Sequence, residues 1–139
     1  MPIIPGARNQ APTRYALGIR VPVDMWYLLK QVAARRGEAV QQVIRDALID
    51  EYELHWVMAY PQTKLNRVNS HWANKYRSPS LGPMVLKHVP LPIALVNELY
   101  KISDEKQETV ASVIRGALTR QYDLGPDLEK MAAERKKKK

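Results

Sequence analysis

The chain has 139 residues and a net charge of +8, with no cysteine and no phenylalanine. That length supports one modest core, or two small interdependent halves, built mainly from Leu, Val, Ile and Met. The composition excludes disulfide frameworks and thiolate metal sites, and no apolar run reaches the roughly 18 residues of a membrane span. Met1 to Gln10 lacks the basic-then-apolar order of a secretory signal, so the expectation is a soluble cytoplasmic protein without membrane attachment.

Residues 1–16 form a basic N-terminal arm of charge +2, with Arg14 near its end. Next, Leu17-Gly18-Ile19-Arg20 reads as a strand whose Leu17, Ile19 and Val21 face a core while Ala16, Gly18 and Arg20 face outward. Pro22 suits the first turn of a helix, where a missing N–H costs nothing, and Met25, Leu28, Leu29, Val32 and Ala33 supply its apolar stripe. Gly37 is placed to close that helix in a left-handed cap.

The next helix is repeated. Residues 40–54 (VQQVIRDALIDEYEL) match 110–124 (VASVIRGALTRQYDL) at eight of fifteen positions. Six of the shared residues, Val40/Val110 through Tyr52/Tyr122, fall on one helical face, so the repeat preserves a core stripe. Arg45, with Asp46 beside it, and Arg115 are also shared and are expected to be salt-bridged scaffold.

Residues 55–83 carry +4 and no acidic residue, interleaving Lys64, Arg67, Lys75 and Arg77 with Trp56, Tyr60, Trp72 and Tyr76. Basic side chains between aromatics can grip phosphates and stack on bases, or the aromatics can pack on the core. The second strand is best matched as Met84-Val85-Leu86-Lys87 against Leu17-Gly18-Ile19-Arg20. This puts Met84 and Leu86 inside and Val85 and Lys87 outside, and it needs one extra residue at His88-Val89, with Pro90 at or past the strand end. Pro92 opens another helix with Leu95, Leu99 and Ile102, and Thr109 can cap the helix that follows. Residues 17–54 and 84–124 are thus two near-neutral copies, of charge −1 and 0, and 125–139 form a basic tail of charge +3, expected to be disordered.

A strand, a proline, an amphipathic helix, a polar turn and a helix reading V-I-R-x-A-L, found twice, resemble the ribbon-helix-helix family of DNA-binding proteins. The resemblance covers roughly 80 residues and implies a mostly α fold with a short two-stranded antiparallel ribbon. Family members form this unit from two chains. Here one chain holds both copies, and the 29-residue linker could span on the order of 30 Å. The expectation is a tandem pseudo-dimer within one chain, with pairing of like copies between chains as the alternative and further self-association on DNA as an extension.

The resemblance implies that the outward ribbon residues Ala16, Gly18, Arg20, Val85 and Lys87 enter the major groove of double-stranded DNA, and that Thr109 contacts a phosphate at a helix N-terminus. Arg14, Lys64, Arg67, Lys75 and Arg77 would hold the backbone without reading sequence. His55, His71 and His88 are dispersed, and no metal-ligand spacing, nucleophile elbow or glycine-rich phosphate loop appears, so neither cofactor, metal nor catalysis is expected. A transcriptional repressor is the function this implies. The alternatives are an architectural or DNA-processing accessory protein of the relaxosome kind, and an antitoxin-type interaction module.

Overall fold

In the computed structural model, which describes residues 13–66 and 82–137, the elements run β1 (Arg14–Pro22), α1 (Val23–Arg36), α2 (Val40–Glu51), a single turn α3 (Trp56–Ala59), β2 (Met84–Pro92), α4 (Ile93–Lys106), α5 (Val110–Gln121) and α6 (Gly125–Lys137). The chain is mostly helical, with one two-stranded antiparallel ribbon formed by β1 and β2 of the same molecule. From Arg14/Met84 through Val23/Ile93 to Val40/Val110, every element of the second copy begins 70 residues after its counterpart. No residue is inserted.

That constant spacing corrects the expected strand match. His88 and Val89 correspond to Gly18 and Ile19, so the match of Met84 with Leu17 is three residues out of step. An odd error reverses every facing, because side chains alternate along a strand. The register sets Gly18 opposite His88, Arg20 opposite Leu86 and Ile19 opposite Lys87. Leu17, Ile19, Val21, Val89 and Leu91 line the buried side. Val85 and Lys87 lie in that same inward row and are half-buried, whereas Leu86 and His88 are exposed.

Pro90 lies inside β2 rather than past its end. The bonds flanking the ribbon, from Val23 N–H to the Pro83 carbonyl (3.0 Å) and from Ile93 N–H to the Thr13 carbonyl (2.8 Å), join odd-numbered positions. By the alternation of an antiparallel ladder, Pro22, Pro90 and Pro92 then occupy non-hydrogen-bonded positions, where no donor is required toward the partner strand.

The repeated helices behave as their periodicity dictates. Val43, Ile44, Ala47 and Leu48 of α2 and Val113, Ile114, Ala117 and Leu118 of α5 are all at most 2% exposed, and Leu29, Leu95 and Leu99 of the first helices complete the centre. Gly37 closes α1 at φ 66°, in the expected left-handed cap. Gln107 adopts the same conformation at the end of α4, φ 57°, without glycine's freedom.

Two connecting segments pack onto the copies. Val57 of α3 is 1% exposed, and Leu65 rests against the core. The expected disordered tail is instead helical over Gly125–Lys137. Leu128 and Met131 pack on the core from that helix, and Arg135 forms an ion pair with Asp24 of α1.

Candidate nucleic-acid interface

One face of the ribbon is built into the core, so only the even-numbered row can meet a partner. On β1 that row is Arg14, Ala16, Gly18 and Arg20, all exposed, followed by the buried Pro22 at the strand end. On β2 it contains Leu86, 48% exposed, and His88, with Met84 and Pro90 half-buried beside them. Neither strand contains a carboxylate. Arg14 and Arg20 stand six residues apart, which is about 20 Å along an extended strand.

At the middle of the row the backbone of Gly18 is bare. A methyl group there would lie 3.3 Å from His88 Nε2 and 3.7 Å from Leu86 Cδ1, so both side chains of β2 lean across that gap. The ribbon is therefore anchored below and presents a shallow outer surface with a guanidinium at each end of β1 and an imidazole at its centre. Its backing is fixed from the side as well: Arg115 of α5 donates to the outward carbonyl of Arg20 at 2.7 Å.

Of the residues expected to read bases, Ala16, Gly18 and Arg20 share this outer row, and Arg14, expected to touch only backbone, joins them. Val85 and Lys87 do not face out. Val85 packs against the core, and the Lys87 ammonium sits 5.0 Å from the centre of the Trp26 ring, a cation–π contact on the inward side. Leu86 and His88 take their places. The unbroken 70-residue offset, carried back from the helices into the strand, was the sequence signal for this register.

Thr109 caps α5, its Oγ1 accepting from the Ser112 N–H at 3.1 Å, while Ser112 Oγ donates to Glu108 Oε2 at 3.0 Å. That helix end already holds a carboxylate of its own, which opposes a second anion. At the matching end of α2, Ala39 has no capping oxygen, and its N–H donates instead to Gln42 Oε1 at 2.9 Å. Arg45 pairs with Asp46 at 3.1 Å, as the scaffold reading expects, whereas Arg115 holds the ribbon.

Lys64 is exposed, and Arg67, Lys75 and Arg77 lie outside the described residues. The carbonyl of Lys64 belongs to a clasp that sequence reasoning missed. Asn97 of α4 is 3% exposed; its Nδ2 donates to Gln62 Oε1 (2.9 Å) and to the Lys64 carbonyl (2.9 Å), and its Oδ1 accepts from the Asn66 N–H (2.7 Å). The start of the linker is thereby tied to the second copy. Among the described residues there is no acidic, histidine or cysteine cluster able to hold a metal ion, and no helix is long and apolar enough to cross a membrane.

Comparison with protein-family models, curated proteins and solved structures returns no match to this chain. The functional reading therefore rests on the residues and their arrangement.

Proposed function

We propose that the chain is a tandem ribbon-helix-helix protein, two halves of a dimer-like unit in one molecule, that binds duplex DNA in the cytoplasm without catalysis by seating the outer face of its ribbon in the major groove. Occupancy of an operator, as a repressor, is the simplest use of such a module. The observation that carries this reading is the outer row itself: Arg14, Arg20 and His88 on a carboxylate-free ribbon whose other face is the core. The major groove, about 12 Å wide, admits a two-stranded ribbon, and an arginine can donate two bonds to guanine O6 and N7.

A second reading, an architectural or DNA-processing accessory protein, is favoured by the scarcity of donors in the row, since Ala16, Gly18, Leu86 and Pro90 offer none. One comparison separates the two. If the ribbon reads bases, Arg20→Ala costs roughly 1 to 3 kcal/mol on a selected site and much less on random duplex. Lys87→Ala, on the inward row, leaves the difference between the two duplexes unchanged. Equal losses on both duplexes would make Arg20 a phosphate contact and the protein an architectural binder. No loss on either, with the fold intact, would remove the ribbon from the interface.

A further inference from the structure

From the same outer row, and resting on the proposal that the ribbon reads duplex DNA, we infer that the preferred target is a non-palindromic site bound in a single orientation. The two copies are related by a shift of 70 residues, and Gly18 and His88, themselves 70 apart, are paired at the middle of the ribbon. The approximate twofold relation between the copies therefore passes through this pair. In a ribbon of two identical strands, the layers on either side of the pair would carry the same side chains and read an inverted repeat.

Here they carry different ones. On one side, Arg20 lies opposite Leu86; the corresponding layer on the other side is Pro90 opposite Ala16. One half of the groove thus meets a guanidinium that can bridge a guanine and a branched apolar side chain that can rest on a thymine methyl. The other half meets a methyl group and a pyrrolidine ring, neither of which donates a hydrogen bond. One layer further out, Pro22 faces Met84 on the first side and Pro92 faces Arg14 on the second, so the remaining guanidinium stands at the far end of the poorer half. His88, on the axis itself, has no counterpart, because its equivalent is a glycine. Sequence information is concentrated in the Arg20–Leu86 half, and the poorer half supplies attachment.

The test begins with selection of bound sequences from random duplexes by the full chain at physiological salt. Three duplexes are then compared: the selected site, a version made symmetric by repeating its informative half, and a version made symmetric by repeating the other half. The expected result is a one-sided consensus. The informative-half duplex should bind within about twofold of the selected site, and the other should fall by about 5- to 150-fold, the range of one bidentate base contact. Pro90→Arg, at a ladder position that needs no donor, should restore the missing guanidinium and bind the informative-half duplex more tightly than the parent does. A palindromic consensus, with both symmetric duplexes bound alike, would overturn the inference while leaving the ribbon as the reader. Absence of any consensus would overturn both.

Discussion

Asn97→Ala should detach the start of the linker from the second copy. The side chain makes three hydrogen bonds, to Gln62, Lys64 and Asn66, and is 3% exposed. At a net 0.5 to 1.5 kcal/mol each, three bonds give an upper bound of roughly 4.5 kcal/mol. The groups released on the linker side belong to exposed residues and regain water, which brings the expected loss to about 2 kcal/mol. Urea unfolding reads the loss as a lowered midpoint with little change in slope, and amide exchange at Asn66 reads it locally as lost protection. Tyr27, 70 residues earlier on α1 and 51% exposed, holds no such segment among the described residues, so Tyr27→Ala should cost less than Asn97→Ala. A loss below about 0.5 kcal/mol with unchanged exchange at Asn66 would show that the clasp does not hold the linker.

Two pairs of symmetry-related residues give further tests. Tyr122 donates to the Val43 carbonyl (2.5 Å) and accepts from Arg36 (3.2 Å), and burial pushes its hydroxyl above the usual tyrosine range. Tyr122→Phe should therefore destabilise by about 1 kcal/mol. The buried hydroxyl of Tyr52 has only the Arg120 guanidinium beside it, without a hydrogen bond of normal geometry, so Tyr52→Phe should cost less than Tyr122→Phe in urea unfolding; the reverse order would refute the assignment. Glu51 accepts from Gln121 (2.9 Å) and Arg120 (2.5 Å); the Gln121 bond, helped by Arg120 against the opposing effect of burial, holds its carboxyl below the ordinary 4.5. A depressed carboxyl stabilises above its ordinary value, and that contribution disappears as pH falls through the lowered one. Glu51→Gln should flatten the acid limb of stability against pH, by no more than about 1 kcal/mol because Arg120 is half-exposed, and an unchanged limb would count against the bridge.

The helices were legible because their signal is redundant. Val43, Ile44, Ala47 and Leu48 recur at one helical face in both copies, and all eight residues are buried. The second strand was not, because a two-residue period offers only two frames and its side chains point to the wrong one. Leu86 is apolar yet exposed, and Lys87 is charged yet half-buried under Trp26. Hydropathy therefore favours the reversed facing, and only the spacing carried from the helices corrects it. Asn97 was invisible for a related reason: a polar residue on a helix reads as solvent-facing unless its partners are known, and these lie more than 30 residues upstream. The C-terminal helix has little apolar content, and its docking depends on Leu128 and Met131 against the core and on the ion pair of Arg135 with a distant carboxylate, Asp24.

Where the copies have stayed alike and where they have diverged also bears on the proposed function. Eight of fifteen positions are identical in the second helices, whose shared stripe forms the centre of the core. Along the outer row of the ribbon only Pro22 and Pro92 are: Arg14 corresponds to Met84, Ala16 to Leu86, Gly18 to His88 and Arg20 to Pro90. A homodimer could not separate these positions, since any substitution in its strand appears on both sides of the axis. With both strands in one chain, the core must still satisfy an approximate twofold packing, but the outer row is free to differ from layer to layer. The inward row has diverged as well, but three of its four exchanges, Tyr15 to Val85, Ile19 to Val89 and Val21 to Leu91, keep an apolar side chain against the core. The outer exchanges instead replace arginine by methionine or proline and glycine by histidine, on the face that the proposed function turns toward DNA.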